Sequence, residues 1–157
     1  MLDEKVVKAT FFCLGKNVVS HPDIHNDILA SGHAVGSHGY DHLNVWETDY
    51  TLYIENIYKT KEIISGNLFR PPYGKITRKF LKYIANEYRL VLWSLLSFDY
   101  EKNITAAECL EHLKKRTRPG DIVVFHDSKK VPFNIIPLIE EYIDFCRNKG
   151  WTFDKIR

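Results

Sequence analysis

His38 and His42 stand four positions apart in the stretch Ser37-His-Gly-Tyr-Asp-His42. On a helical turn that spacing puts both imidazoles on one face, close enough to share a metal ion. The bland alternative is two surface-loop histidines. Zinc needs at least one more protein ligand, and no neighbour is an obvious choice: Asp41 points elsewhere on a helical turn, and His33 sits on the preceding strand. Arg70-Pro-Pro-Tyr73-Gly74 reads blandly as a stiff turn with a surface arginine. Functionally, its prolines would fix a backbone amide toward a bound oxygen while Arg70 orients a carboxylate. His126 closes the apolar run Ile122–Phe125, which is equally a core strand with Asp127 or Ser128 capping the next element. As chemistry it is a general acid, because imidazole ordinarily titrates near neutrality.

The elements that must carry these side chains alternate. Val7–Leu14 reads as a strand ending at Gly15, followed by a short helix opened by His21-Pro22 and closed by Gly32. His33–Ser37 is a second strand, and Thr48 or Asp49 caps a helix whose Tyr53, Ile57 and Ile64 share a face. Leu68–Arg70 is a strand stub, Thr77 caps a helix with Phe80, Leu81 and Ile84, and Leu90–Leu96 is a strongly apolar strand. A helix over Thr105–Lys115, the strand Ile122–Phe125, a helix over Asn134–Lys149 and a strand at Trp151–Phe153 complete the series. Strand–helix repeats with apolar strands predict a parallel sheet covered by helices. Histidine or arginine then follows three strand ends on one edge, where α/β folds build sites.

Bulk properties exclude several classes. With 157 residues the chain reads as one domain, large enough for a real core. Its 22 Lys and Arg against 20 Asp and Glu give a formal charge of +2, which marks neither a nucleic-acid footprint nor a membrane surface. No apolar run approaches the ~18 residues of a membrane span. Cys13, Cys109 and Cys146 form no C-x-x-C and read as buried reduced thiols, which suits a reducing compartment. A structural zinc in an unrelated α/β domain would need four closed ligands that these cysteines are not placed to give.

Taken together, Lys8-Ala-Thr-Phe-Phe12, Gly32-His33, the H-x3-H in Ser37–His42, Arg70–Gly74, Trp93–Tyr100 and Val123–Asp127 resemble the polysaccharide deacetylase family in order and approximate spacing. The resemblance, to the NodB homology domain of carbohydrate esterase 4-like enzymes, covers essentially the whole chain as one domain over residues 1–157. It implies a deformed (β/α) barrel that removes acetyl groups from N-acetylglucosamine polymers, peptidoglycan or acetylated xylan. It makes His38 and His42 ligands of Zn²⁺ or another divalent transition metal, and Arg70 the residue orienting the catalytic base. The Tyr73 backbone N–H would help hold the oxyanion, and His126 would protonate the departing amine or alcohol. Tyr73 and Trp93, with Trp46 and Tyr100, are candidate sugar-stacking rings, for which core packing is the bland reading.

Two departures from the family pattern shape the expectation. The family's T-F-D-D-G block, which supplies the base and third metal ligand, lies upstream of Ala9-Thr-Phe-Phe12, and Asp3 is no substitute. The resemblance therefore implies a deacetylase shortened at its N-terminus and lacking the first strand, with weak zinc affinity and little activity. Its exposed sheet edges would invite self-association, and an export signal could have been lost with the missing segment. The alternative is a non-catalytic glycan-binding descendant. The second departure is Leu96, where the family usually has an aspartate beside the acid histidine. Its loss predicts less support for a protonated His126 unless Asp99 or Asp127 compensates.

Overall fold

In the computed structural model, which describes residues 1–128 and 130–157, the aromatic run after Lys8 forms β1 (Thr10–Cys13). It is followed by α1 (Gly15–Ser20), α2 (Pro22–Ala30), β2 (Ala34–Ser37), α3 (Tyr50–Lys61) and β3 (Leu68–Phe69). A 3-10 turn at Pro72–Gly74, α4 (Arg78–Ile84) and β4 (Arg89–Leu90) complete this part. These elements belong to one of two compact units, Lys8–Leu92 with Asp154–Arg157. Its four strands are parallel in the order β1-β2-β3-β4, with Thr10 opposite Ala34 and Cys13 opposite Ser37. Their C-terminal ends therefore line one edge.

The helices start where the local chemistry dictates. Asp49 caps α3 by accepting the Thr51 and Leu52 N–H groups, Thr77 caps α4 through the Phe80 N–H, and Pro22 occupies the first turn of α2. The apolar faces of α3 and α4 bring Tyr53, Ile57, Phe80 and Ile84 onto Phe69, Val45 and Tyr88. Helix α1 is absent from the sequence reading, which ends the strand at Gly15 and starts the next helix at His21. It begins at a residue where a Cβ would lie 2.7 Å from the Tyr40 ring, so only glycine fits this approach without a shift.

The second unit comprises Met1–Val7 and Trp93–Phe153. It contains β5 (Leu95–Leu96), α5 (Ala106–Arg116), β6 (Val123–Val124) and α6 (Ile135–Asn148), with β5 and β6 paired in parallel. Thr105 and Glu108 form a reciprocal capping box on α5, and Asn134 caps α6 through the Ile136 N–H. Leu113, Cys109, Leu138, Tyr142 and Cys146 form its core. The Met1–Val7 segment is held by Lys5, which pairs with Asp144 at 2.8 Å and whose carbonyl accepts from Arg147.

Two strand expectations are corrected. The predicted strand Leu90–Leu96 is two short ones, β4 and β5, in separate sheets. The carbonyls of Val91 and Leu92 between them accept from the Arg70 guanidinium. Trp151–Phe153 is not a strand; Trp151 instead meets Phe145 edge-on at 6.2 Å and, with Phe153, packs on the α5–α6 core. Cys109 and Cys146 are buried as expected, whereas Cys13 is only half-buried. No helix of the described residues is long and apolar enough to cross a membrane.

Candidate functional site

The loop after β2 carries His38 and His42 on an irregular bend, not on the helical turn expected from their spacing. Gly39 and His42 both have left-handed backbone, with φ of 76° and 61°. The two rings still meet, edge to face with centroids 4.9 Å apart. His38 Nδ1 lies 2.6 Å from the Arg70 carbonyl oxygen. A carbonyl can only accept, so Nδ1 carries the proton and the neutral ring presents its lone pair at Nε2.

Asn56, buried on α3, holds this loop. Its Oδ1 accepts the Tyr40 and Asp41 N–H groups at 2.8 and 3.2 Å, while its Nδ2 donates to the Asp41 carboxylate at 3.0 Å. The Gly39 carbonyl accepts from the Gly15 N–H at 3.0 Å, and Ser37 Oγ accepts the Gly39 N–H. Three elements thus fix the backbone from which both imidazoles project. The sequence reading did not include Asn56, although a polar residue on the apolar face of α3, between Tyr53 and Ile57, is a visible signal.

Arg70 follows β3 directly and is buried, contrary to the bland reading of a surface arginine. Its Nε and Nη2 donate to the Val91 and Leu92 carbonyls at 3.2 and 3.1 Å, and its guanidinium lies 4.1 Å from the Phe12 ring centroid. Burial pulls its pKa down to about 10, so it remains a cation at neutral pH. Behind the two prolines, Tyr73 adopts φ 60°, and its exposed ring lies 4.7 Å from that of His42. Thus His38, His42, Arg70 and Tyr73 are brought together at one sheet edge. His33 is a buried acceptor for the Ala9 N–H at 3.2 Å.

In the other unit, His126 follows β6 and is tied twice to Asp99. The Asp99 Oδ2 accepts the His126 backbone N–H at 2.7 Å, and Oδ1 lies 2.7 Å from Nδ1. Asp99 is fully buried, whereas the His126 side chain is 38% exposed. The two contacts orient the imidazole and fix which nitrogen faces the carboxylate. Of the two carboxylates that could stand in for the one missing at Leu96, Asp99 is the one that meets His126. Phe98 between them has φ 61°, and Ser97 Oγ accepts the Asp99 N–H. The Tyr100 ring stands 5.0 Å from that of His126 and borders a cavity of about 680 Å³ with Lys102 and Asn103. Trp93 precedes β5, at the strand end opposite to the one that leads to Asp99.

Two imidazoles, one pinned by a carbonyl, suit a divalent metal ion as part of its ligand set. They are fewer than the three protein ligands of a hydrolytic zinc site, and among the described residues no group of three His, Cys, Asp or Glu could hold a metal.

Comparison with known proteins bears on the family and the fold. A family model described as polysaccharide deacetylase matches residues 1–91. The chain is similar to a peptidoglycan-N-acetylglucosamine deacetylase of Bacillus cereus, at 32% identity over 134 residues, covering 81% of this chain and 48% of that one. It is also 30% identical over 166 residues to chitin deacetylase 2 of Saccharomyces cerevisiae, covering 91% of this chain and 50% of the yeast protein. A crystal structure of the Bc1960 peptidoglycan N-acetylglucosamine deacetylase matches 99% of this chain and 76% of its own, with a TM-score of 0.92 and 29% identity. The fold is thus the α/β fold of the NodB type that the sequence implies, and the chain spans about half the length of the curated relatives it matches. By its match over residues 1–91, the chain belongs to the polysaccharide deacetylase family.

Proposed function

We propose that the protein is a metal-dependent hydrolase that removes acetyl groups from N- or O-acetylated carbohydrate polymers. The observation that supports this most directly is the His38–His42 pair, with His38 Nδ1 locked onto the Arg70 carbonyl, in a chain of this family. His38 and His42 would hold zinc or another divalent ion together with a further ligand. Such an ion supplies Lewis acidity at the acetyl carbonyl and a water acidic enough to ionise near neutral pH.

The chain's own residues divide the remaining work. Arg70, a buried cation, would orient the base carboxylate that the family's T-F-D-D-G block supplies, and the Tyr73 N–H would donate to the oxygen on which charge develops. His126, held by Asp99 through Nδ1, gives its proton from Nε2 to the departing amine or alcohol.

The test is acetate release from N-acetylglucosamine oligomers and from peptidoglycan by protein supplied with Zn²⁺ or Co²⁺. Release that a chelator stops and His38→Ala abolishes supports the reading. A second reading, a non-catalytic glycan binder, is favoured by the count of two clustered ligands among the described residues. Saccharide binding without acetate release under any metal would select it. With two histidines only, the 157-residue chain is expected to bind zinc weakly, and micromolar affinity lost in His38→Ala would show that another residue completes the site.

A further inference from the structure

Trp46 is 66% exposed, and the local structure holds it out. Val45 before it is buried in the cluster with Tyr53 and Phe69. Asn44 closes the turn, its Oδ1 accepting the Trp46 N–H at 3.2 Å and its Nδ2 donating to the Glu47 carboxylate at 2.5 Å. The Glu47 N–H donates in turn to the Asn44 carbonyl at 3.0 Å. An anchored residue followed by a bonded turn fixes the backbone from which the indole projects.

Tyr73 is displayed in the same way. It is 57% exposed on a left-handed backbone fixed behind two prolines, and its ring contacts that of His42. The Lys75 ammonium lies 4.4 Å from the Trp46 ring centroid and 5.7 Å from that of Tyr73. Among the described residues this ammonium forms no ion pair with a carboxylate. Glu47, the acidic residue of the Trp46 turn, is engaged by Asn44.

Exposed aromatic faces on a constrained backbone suit the C–H faces of pyranose rings, and a cation close to both suits an anion on the same ligand. We propose that Trp46, Tyr73 and Lys75 form a glycan subsite beside His42 that prefers a chain bearing a carboxylate on the sugar next to the acetylated one. This rests on the reading of His38 and His42 as the place where acetyl groups are removed. It narrows the substrate class from any acetylated polymer to an acidic one.

The test compares three probes by isothermal titration, with chelator present so that no metal reads the carboxylate. They are a tetrasaccharide of alternating N-acetylglucosamine and N-acetylmuramic acid, its methyl ester, and neutral N-acetylglucosamine tetramer. The acid should bind about fivefold tighter than its ester, the upper range for an exposed ion pair. Lys75→Gln should erase that difference, Lys75→Arg should keep it, and about 0.5 M salt should shrink it. Trp46→Ala should weaken all three probes. Equal affinity of acid and ester, a preference that survives Lys75→Gln, or no saccharide binding would each overturn the subsite. Acetate release by metal-supplied protein is read separately. Its absence with the carboxylate preference intact refutes the deacetylase reading and not the subsite; its presence without the preference refutes the subsite alone.

Discussion

Replacing Asp99 by asparagine changes one atom's chemistry at nearly constant shape. Both Asp99 oxygens accept from His126, at 2.7 Å from the backbone N–H and 2.7 Å from Nδ1. A carboxylate cannot donate, so Nδ1 bears a proton. An amide offers one accepting oxygen and one donating nitrogen. The backbone N–H cannot reverse its role, so the amide oxygen must face it, and the amide nitrogen then meets Nδ1. His126 must accept there and move its proton to Nε2. Exchanging a charge-assisted bond of ~1.5–3 kcal/mol for a neutral one of ~0.5–1.5 kcal/mol costs about 1–2 kcal/mol. For a chain of 157 residues that lowers Tm by about 2–8 °C. Ring ¹⁵N shifts and couplings distinguish the two tautomers, and a thermal melt gives the cost. Neutral His126 still protonated at Nδ1 in Asp99→Asn, or an unchanged Tm, would refute the reasoning. If His126 also acts as the acid, the same variant should lower kcat by about 10²–10⁴.

Other outcomes rest on single features. Asn56→Leu strips the Tyr40 and Asp41 N–H groups of their acceptor and should cost about 2–4 kcal/mol in urea unfolding, with weaker zinc binding as the His38–His42 loop loosens. Full stability in that variant would remove Asn56 as the loop's anchor. Tyr53 has a buried hydroxyl without a hydrogen-bond partner among the described residues. Tyr53→Phe should therefore leave stability unchanged or raise it by up to about 1 kcal/mol, and a clear loss on calorimetry would contradict this. Burial raises the Cys109 thiol to about 11, so at pH 8 it stays protonated and should resist alkylation until the protein unfolds. Raising the pH toward 11 should favour its thiolate, but modification still needs reagent to reach the buried sulfur. Mass mapping that finds Cys109 modified before Cys13 would be the contrary result.

Short-range chemistry made much of this legible. Thr77 caps the helix it was expected to cap, the helices expected to begin at Thr105 and Asn134 start there, and Asp49 settles the choice left open with Thr48. His38, His42 and Arg70 fall just past strand ends, as the alternating apolar runs require. What depended on distant partners was not legible. Asp99 and Asp127 are indistinguishable as neighbours of His126 until the left-handed Phe98 is known. Asn56 reaches a loop 15 and 16 positions away. The break between β4 and β5 lies inside one apolar run, and its carbonyls turn to Arg70, 21 and 22 positions earlier.

The unit that carries the histidine loop is discontinuous in sequence, resuming at Asp154 after it breaks off at Leu92. Lys155 donates to the Gly32 carbonyl at 2.7 Å, across 123 positions, and the Ile156 N–H donates to Thr10 Oγ1 at 2.8 Å, across 146. A growing chain therefore exposes β1 and β2 long before the residues that latch onto them have been made. Such sequence-distant closure is slow to form and leaves sheet backbone open meanwhile. A product cleaved between Leu92 and Asp154 would keep the histidine motif but lose the covalent link to these two bonds.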